Sequence, residues 1–417
     1  MTSPATWTTA YAAALADPAD TLAFMPQPRG FRDQTVRQAV RLRRGGTLLR
    51  LVLSNEFGHA PLVIDRVTVS GAHGKPVRTA TLRGSSRWEI PPGEVAASDP
   101  VPLSATAGDE ITVSCYVAGT AGPGAFLHSA QRTGHVEPGN QAGLDQSAGP
   151  GGSQSFSSLY WITRVLTDAA AEGPVIVAFG DSITRGDATT TDGEQRYPDH
   201  LQARLLASGI DGAVVLNAGL GGNRLLRSQV GPPMTERFGR DVLSVPEATH
   251  VIIMGGLNDL GLPAIVGGPR PTAGEIIDAL FGLAHRASRQ GIQPVLATLT
   301  PILASRYDSF RADGNEDIHR AVNHAIRTQR EWPTADFATA LADRDDPSRI
   351  AAAYDSGDGV HPSDAGARAL ANAIDLATLA QDRLNHQVSS QERTGLEPTL
   401  LACGGHGRPY QNDAHWQ

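Results

Sequence analysis

Four short polar segments between residues 180 and 361 carry side chains that could perform acyl transfer. They read Gly-Asp-Ser at 180–182, Asn-Ala-Gly-Leu-Gly-Gly at 217–222, Gly-Leu-Asn-Asp at 256–259 and Asp-Gly-Val-His at 358–361. Together they supply a hydroxyl nucleophile, two candidate oxyanion donors, and a carboxylate followed closely by an imidazole. A serine attacks an acyl carbon only when a base removes its proton, and an imidazole held by a carboxylate is such a base. The four segments therefore predict nucleophilic catalysis by serine.

Ser182 is placed by the apolar run before it. Residues 175–179 read Val-Ile-Val-Ala-Phe, with Pro174 before them and Gly180 after them. A short run rich in β-branched residues predicts a buried parallel strand. The serine then follows the carboxyl end of that strand, where open α/β sheets bind their ligands. The alternative is that Asp181 or Ser182 only caps the next helix.

Two further segments follow predicted strands in the same way and offer hydrogen-bond donors. The apolar run 214–216 precedes a glycine-rich segment that ends at Gly222, and the run 251–254 precedes Asn258. Glycine lets a backbone N–H approach a ligand closely, and an asparagine amide can stabilise a developing oxyanion. A plain strand-to-helix turn and an Asx-turn are the structural alternatives.

Asp358 and His361 lie in a turn-rich stretch, directly before an apolar-periodic segment that predicts a helix over 364–382. At this spacing the carboxylate can accept a hydrogen bond from the imidazole Nδ1–H and leave Nε2 to act as a base. The alternative is a loop histidine that the aspartate holds for structural reasons only. Because three polar segments follow three separate strand patterns and would meet at one edge of a parallel sheet, we favour a shared catalytic site.

These segments resemble the sequence blocks of the SGNH (GDSL-type) hydrolase superfamily. The resemblance implies that Ser182 is the nucleophile, that His361 is the general base and that Asp358 orients the base. It also implies an oxyanion hole made by the Ser182 N–H, the Gly222 N–H and the Asn258 amide. Gly222 is chosen because the second block of the family reads Gly-x-x-Gly, with the later glycine as the donor. The Gly-x-Ser-x-Gly elbow of α/β-hydrolases occurs nowhere in the sequence, which argues against that rival fold.

The pattern of predicted elements divides the chain into three parts. Residues 171–383 alternate strands with helices, which predicts an α/β catalytic domain whose parallel sheet has helices on both faces; the resemblance implies a flavodoxin-like sheet. Residues 1–170 show short runs separated by Gly, Pro and Asp, which predict an antiparallel β-sandwich domain. The strands expected there cover 35–42, 48–53, 62–69, 77–82, 101–103, 111–117 and 159–166. Residues 139–158 are expected to form a loop, and residues 384–417 a mobile or loosely docked tail.

Two phrases in the first domain add to the resemblance. Gln-Thr-Val-Arg at 34–37 and Leu-Ser-Asn-Glu-Phe-Gly at 53–58 resemble a subgroup that includes proteins similar to bacterial xylan-related acetyl esterases. This implies a serine esterase that removes a short, acetyl-like acyl group from a carbohydrate or sugar-bearing small molecule. The alternatives are a lipid or lysophospholipid acyl hydrolase, an acyltransferase and an inactive carbohydrate-binding protein. Because aromatic residues make up only 5% of the chain, we expect the β-domain to shape the cleft or stabilise the fold.

Four polar residues near the predicted site are expected to be structural. Tyr197 and Arg224 lie near the predicted pocket, where either could contact substrate, but Tyr197 is expected to pack in the core and Arg224 to lie at the surface. Asp336 and Asp355 are interpreted as structural acids near the Asp–His turn.

Composition sets the remaining limits. A net charge of −8 without a basic cluster argues against nucleic-acid binding. No apolar run approaches the roughly 20 residues needed to span a membrane. The cysteines and histidines are not spaced for a metal site or a disulfide framework, and the predicted mechanism needs no cofactor. The N-terminus lacks a signal-peptide pattern, so the sequence as written predicts a cytoplasmic protein, although a mature secreted form would look the same.

Overall fold

Antiparallel strands fill the first part of the chain in the computed structural model, which describes residues 6–71, 76–144 and 153–380. The strands are β1 (Thr8–Ala12), β2 (Phe31–Arg41), β3 (Gly46–Ser54), β4 (Leu62–Ile64), β5 (Arg66–Ser70), β6 (Arg78–Ala80), β7 (Trp88–Ile90), β8 (Val95–Ala97), β9 (Val101–Ala105), β10 (Glu110–Ala121), β11 (Phe126–Leu127), β12 (Gly134–Pro138), β13 (Gln154–Phe156), β14 (Leu159–Tyr160) and β15 (Ile162–Thr167).

Two larger sheets share the core of this β-domain. One has the strand order β1-β15-β3-β8, with β9 also paired to β3, and the other has the order β13-β12-β2-β10-β5-β6. Alternate residues of β3, including Leu49 and Leu51, join the same apolar cluster as Val36 of β2 and Val113 of β10. Two antiparallel sheets that bury their inner faces together form a sandwich core, so the predicted N-terminal β-domain is confirmed.

Several strands of this domain begin or end where the sequence pattern did not predict. The expected strand 62–69 is broken at Asp65 into β4 and β5, and the expected strand 159–166 is broken at Trp161, whose φ is +63°. The expected loop 139–158 contains β13, which pairs with β12, and its residues 145–152 lie outside the described residues. Short strands such as β7 and β8 were missed because so few alternating residues give little periodicity.

The second part of the chain forms a parallel sheet. Its strands are β16 (Val175–Gly180), β17 (Val214–Gly219), β18 (His250–Met254), β19 (Gln293–Ala297) and β20 (Thr334–Ala335), in the order β17-β16-β18-β19-β20. All four neighbouring pairs are parallel. Numbered within this sheet, the order is the flavodoxin-like one, in which the chain reverses direction across the sheet beside the first strand. The predicted fold class is therefore confirmed.

Helices cover this sheet. They are α1 (Ser182–Arg185), α2 (Tyr197–Ala207), α3 (Met234–Phe238), α4 (Leu257–Gly261), α5 (Pro263–Val266), α6 (Ala273–Arg289), α7 (Asn315–Thr328), α8 (Phe337–Leu341) and α9 (Asp364–Asn372). Every residue of β16 and β18 is buried, as is typical of strands covered on both faces. The longest helix, α6, begins with a capping box between Thr272 and Glu275 and buries an apolar stripe.

The last helix is shorter than predicted. The expected span of 364–382 ends at Asn372, and Asp375 then caps a separate 3-10 turn, Leu376–Thr378. An aspartate side chain that accepts a backbone hydrogen bond two residues ahead starts a new turn rather than continuing a helix, so the prediction of one helix was wrong. Residues 381 and beyond lie outside the described residues.

Two apolar clusters form the interior of the part of the chain that the structure describes. One draws on residues between Ala10 and Val165 and also includes Leu220, and the other draws on residues between Val175 and Leu379. The boundary proposed at 170/171 stays a prediction, as does the one at 383/384, and the predicted tail falls outside the described residues. Leu220 crosses this division, because it belongs to the glycine-rich segment after β17 yet packs in the core of the β-domain.

Candidate active site

The chain turns sharply at the carboxyl end of β16 and places Ser182 there. At Gly180 a Cβ atom would lie 2.1 Å from the Thr184 hydroxyl oxygen and 2.7 Å from the Met254 carbonyl oxygen, so only glycine fits. Asp181 caps α1 by accepting a 3.0 Å hydrogen bond from the Ile183 N–H. Asp181 is therefore a helix cap, as the structural alternative proposed, and this cap fixes Ser182 in the first turn of α1.

Ser182, His361 and Asp358 are joined by hydrogen bonds. His361 Nε2 lies 2.9 Å from Ser182 Oγ, and His361 Nδ1 lies 2.7 Å from Asp358 Oδ2. The other oxygen, Oδ1, accepts hydrogen bonds from the backbone N–H groups of Val360 and His361, at 2.9 and 2.8 Å. Because the carboxylate is held by its own turn, Nδ1 must carry hydrogen and Nε2 faces the serine hydroxyl. The structure therefore brings together the three side chains that were predicted to act as nucleophile, base and orienting carboxylate.

The charges around His361 favour its protonated form. Burial would lower the pKa of His361, but its hydrogen bond to Asp358 and the negative charges of Asp187 and Asp358 raise the pKa above its ordinary value. Burial would likewise raise the pKa of Asp358, yet its hydrogen bond and charge interaction with His361 hold that pKa well below the usual range. The pair is therefore arranged to stabilise an imidazolium beside a carboxylate, which is what a general base needs after it takes a proton.

Asp181 is a second acid close to the histidine. Burial raises the pKa of Asp181 to about 7, although the Ile183 N–H and the positive charges of His361 and Arg237 oppose the shift. Its Oδ2 has no hydrogen-bond partner in the described part of the chain. A buried carboxyl with one unpaired oxygen is stabilised by holding a proton.

Asn258 stands at the carboxyl end of β18, in the first turn of α4. Its Nδ2 donates a 3.0 Å hydrogen bond to the backbone carbonyl of Asn223. An amide nitrogen carries two hydrogens, so one remains for a ligand. Gly256, just before α4, has a φ of +115°, a conformation that favours glycine and lets the chain turn from β18 into the helix.

The glycine-rich segment after β17 needs glycine at both of its last two positions. A Cβ at Gly221 would lie 2.1 Å from the guanidinium of Arg185, and one at Gly222, whose φ is +73°, would lie 2.7 Å from the terminal methyl of Met25. The crowding explains the residue type at both positions and does not choose between their N–H groups. The assignment of Gly222 as the oxyanion donor stays a prediction.

A buried arginine that the sequence reasoning missed ties these segments together. Arg237 donates to the carbonyl oxygens of Gly180 and Ala218, at 2.7 and 3.0 Å, and to Asn223 Oδ1 at 2.8 Å. Its charge is balanced by Asp241, 2.7 Å away. One guanidinium therefore holds the ends of β16 and β17. It also holds Asn223, whose backbone carbonyl accepts the hydrogen bond from the Asn258 amide. In sequence Arg237 follows Thr235 and Glu236 in α3, so nothing local distinguishes it from a surface arginine.

Asp259, next to Asn258, supports the same loop. Its carboxylate accepts hydrogen bonds from the backbone N–H groups of Leu225 and Leu226, at 2.6 and 3.1 Å. Burial raises the pKa of Asp259 to about 6 against the effect of these hydrogen bonds. The predicted Gly-Leu-Asn-Asp segment thus contributes one side chain to the site and a second that fixes the loop after the glycines.

Arg185 and Asp187 were also missed by the sequence reasoning. Arg185 Nε lies 2.6 Å from Asp187 Oδ1, and Nη2 contacts the other carboxylate oxygen. Burial works against the charged form, but the adjoining guanidinium keeps the pKa of Asp187 below its ordinary value. Asp187 is therefore a permanent negative charge close to His361.

Three of the four residues interpreted as structural have structural contacts. Tyr197 is buried and packs edge-to-face on Phe337, with ring centroids 5.3 Å apart. The Asp336 side chain caps α8, and Asp355 accepts hydrogen bonds within its own turn.

The expectation for Arg224 was wrong. The residue is only 5% exposed, and its guanidinium donates to the backbone carbonyl of Ser228. The loop that follows folds back over the side chain, so an arginine that reads as a surface residue in sequence is enclosed. Long-range folding of a loop leaves no local pattern from which this burial could be predicted.

Two kinds of feature are absent from the described ranges, 6–71, 76–144 and 153–380. No group of three or more His, Cys, Asp or Glu side chains there is arranged to hold a metal ion. Nor does any helix in those ranges have the length and apolar character that crossing a membrane requires.

A Ser–His–Asp arrangement at the carboxyl edge of a flavodoxin-like sheet is the arrangement of a serine hydrolase. Residues 178–369 match the sequence model of the GDSL-like Lipase/Acylhydrolase family. This segment therefore belongs to the GDSL-like lipase and acylhydrolase family, as the SGNH resemblance predicted, and the prediction of an ester hydrolase domain is confirmed at that level. No curated protein matched the chain.

Solved structures that are similar to part of the chain include three esterases or lipases. A GDSL-like lipase from Bacteroides thetaiotaomicron is 17% identical, covers 50% of this chain and 90% of its own, and has a TM-score of 0.39. A carbohydrate acetylesterase family member from Sinorhizobium meliloti is 20% identical, covers 50% and 100%, and has a TM-score of 0.38. An aryl esterase from M. smegmatis is 19% identical, covers 49% and 99%, and has a TM-score of 0.38.

Proposed function

We propose that this protein is a serine esterase that removes short acyl groups, such as acetyl, from a carbohydrate or a sugar-bearing small molecule. The observation that carries the proposal is the unbroken hydrogen-bonded series from Ser182 Oγ through His361 to Asp358, at 2.9 and 2.7 Å. Geometry of this kind supplies both an activated nucleophile and a base whose tautomer is fixed.

Acylation is the first half of the reaction. Ser182 Oγ attacks the ester carbonyl carbon while His361 Nε2 takes the hydroxyl proton, and the carbonyl electron pair moves onto oxygen. As the tetrahedral intermediate collapses, the bond to the alcohol oxygen breaks, and His361 returns the proton to the leaving alcohol. Asp358 stays ionised throughout and stabilises the imidazolium.

Deacylation repeats these steps with water as the nucleophile. His361 takes a proton from water as the water oxygen attacks the acyl carbon. When the bond between that carbon and Ser182 Oγ breaks, His361 returns the proton to Oγ and the carboxylic acid leaves. In both halves the negative oxygen is bound by the Ser182 and Gly222 N–H groups and by the free amide hydrogen of Asn258. Donors that are already in place cost no reorganisation in the transition state.

Two features support a short acyl group and a polar alcohol. The side chains of Met25 and Val230 fill the space beside Gly222, which limits the room next to the proposed oxyanion hole. A cavity of about 540 Å³ reaches Asp358 but is not lined by Ser182 or His361; its polar side chains are those of Thr190, Arg306, Asp355, Ser356, Asp358, Ser363 and Asp364. Hydroxyl-rich alcohols suit such a lining because they can satisfy its donors and acceptors.

One observation favours the lipid alternative. Phe24, which precedes Met25, is 68% exposed, the largest exposure among the large apolar side chains of the described residues. An exposed aromatic ring near the proposed oxyanion hole could contact a long acyl chain. The lipid alternative therefore predicts that activity rises with acyl length.

The test is turnover of p-nitrophenyl esters from acetyl to long-chain acyl, with Ser182→Ala as the matched control. Activity on the shortest esters, lost in the variant, supports the proposal, and acetylated xylo-oligosaccharides are then the next substrates. A preference for long chains favours the lipid alternative, and transesterified product in the presence of a competing alcohol favours an acyltransferase. Full activity of Ser182→Ala would contradict the assigned nucleophile. No turnover of any ester would favour a binding protein.

A further inference from the structure

One histidine of the β-domain contacts the helix that begins with Ser182. His128, directly after β11, places its Nε2 2.6 Å from Arg185 Nη1 at the end of α1. Both side chains are buried, with 4% and 3% exposure. The contact joins a residue of the antiparallel domain to the helix that begins with Ser182.

The direction of this hydrogen bond follows from the chemistry of its partners. A guanidinium only donates, so Nε2 of His128 must accept and the ring must be neutral. Burial, followed by the positive charge of Arg185, lowers the pKa of His128 to about 3, which keeps the ring neutral under ordinary conditions. The backbone carbonyl of His128 accepts a 3.0 Å hydrogen bond from Ser158 Oγ, which anchors this part of the domain.

Arg185 lies between the two halves of the proposed site. On one side its guanidinium lies directly against the Cα of Gly221, in the segment that carries the proposed donor Gly222. On the other side it pairs with Asp187, whose charge acts on His361. A shift of this guanidinium would therefore move the glycine segment and change the field at the base together.

We infer that His128 is a positioning residue, through which the β-domain fixes Arg185 and, by way of Arg185, the glycine segment of the oxyanion hole. The inference rests on the proposed function. Without an acceptor at this point, Nη1 of Arg185 would be a buried charged donor without a partner, which is strongly unfavourable. The guanidinium would turn to recover a hydrogen bond, and Gly221 would lose the surface against which it packs.

The first test compares two variants of the full chain. In His128→Leu the acceptor is removed, whereas in His128→Gln an amide oxygen takes the place of Nε2. With p-nitrophenyl acetate we expect kcat of His128→Leu to fall about 10- to 100-fold with little change in KM, because small displacements of catalytic groups can cost about 100-fold. His128→Gln should keep kcat within about 3-fold of the wild type, as rescue of the hydrogen bond requires. If His128→Leu does not fold, His128→Asn, whose amide is too short to reach Arg185, replaces it.

A double-mutant cycle separates this role from general destabilisation. If His128 acts through Arg185, adding His128→Leu to Arg185→Met should lower kcat no further. Effects that multiply in the double variant would overturn the inference, as would unchanged kcat in His128→Leu.

Crystal structures provide a readout that does not depend on turnover. The glycine segment 219–222 should be displaced in His128→Leu and should keep its place in His128→Gln. If the wild-type protein hydrolyses no ester, the proposed function is wrong. The positioning role of His128 is then tested by whether segment 219–222 is displaced in His128→Leu. An active wild-type enzyme with an unmoved segment and full kcat in His128→Leu would overturn the inference alone.

Discussion

Arg237 Nη2 donates a 2.7 Å hydrogen bond to the carbonyl oxygen of Gly180, the last residue of the central strand. The same guanidinium reaches Ala218 O and Asn223 Oδ1. The carboxyl ends of two strands and the loop beside Asn258 are thus fixed by a charge that contacts no proposed reacting atom. In this site, precise placement of the proposed catalytic groups depends on a buried ion pair beneath them.

Removing that guanidinium should weaken both the fold and the activity. Arg237→Met removes one donor from each of three buried acceptors, of which the Gly180 carbonyl keeps the Leu220 N–H, and it leaves Asp241 with one partner fewer. The free energy of unfolding should therefore fall by about 3 kcal/mol. Urea unfolding and kcat on p-nitrophenyl acetate measure the two effects. Arg237→Lys keeps the charge but cannot reach all three acceptors, so it should fall between the wild type and Arg237→Met. Wild-type kcat in a folded Arg237→Met would contradict this role.

Asn258→Ala should lower kcat about 100- to 1000-fold with little effect on KM, because the oxyanion exists only in the transition state and intermediate. Steady-state kinetics measure both constants. Asn323→Ala is a suitable control, since Asn323 is also buried and holds backbone groups of Leu299 rather than the site. A rise in KM alone would contradict the assignment of Asn258.

The pH dependence of kcat/KM should reflect His361. The base must be neutral to act, and its pKa is raised above the ordinary value of 6.5, so activity should be lost as pH falls through this raised pKa. In Asp358→Asn the hydrogen-bonded carboxylate is gone, and the remaining activity should persist to lower pH. An acid limb that does not move in Asp358→Asn would argue against the pair.

Asp181 provides the control for that experiment, because burial raises its pKa to about 7 and its titration could also produce an acid limb. Asp181→Asn keeps an oxygen that can accept from the Ile183 N–H and removes the titration. We expect the acid limb of kcat/KM to remain in this variant. Its loss would assign the limb to Asp181 instead of His361.

Acyl length should depend on Met25. The Met25 methyl lies against Gly222, so Met25→Ala should open space beside the oxyanion hole and raise kcat/KM for butyryl relative to acetyl esters by about 10-fold. Phe24→Ala, at the exposed neighbouring position, is the matched control and should leave this ratio unchanged under the acetyl proposal. A ratio that follows Phe24 rather than Met25 would favour the lipid alternative.

The parts of the site that lie next to predicted strands could be predicted from sequence, and the parts that depend on distant contacts could not. Ser182 and Asn258 each follow an apolar strand directly, and Asp358 and His361 are close enough in sequence to pair within one turn. Parallel strands bring such positions to one edge, which is why a local pattern was sufficient. Arg237 and His128 act across long stretches of chain, and neither stands in a pattern that distinguishes it from other buried polar residues.

The same limit explains the errors in secondary structure. The long strands β2, β3 and β10 have enough alternation to be recognised, whereas the break at Trp161 depends on a single backbone conformation with positive φ. The helix predicted to continue beyond Asn372 had suitable apolar spacing, but the side chain of Asp375 begins a new turn. In both places one local interaction outweighs periodicity.

The packing of Leu220 means that the two domains cannot be exchanged independently of each other. This residue of the glycine segment is packed in the apolar core of the β-domain. A gene fragment encoding residues 171–380 alone would therefore yield a protein in which an apolar side chain of the glycine segment is exposed to solvent. Recombination that replaced the catalytic half with that of a single-domain relative would remove the Leu220 side chain and leave a cavity in the β-domain core. Engineers and evolution alike must therefore treat the two halves as one unit of exchange.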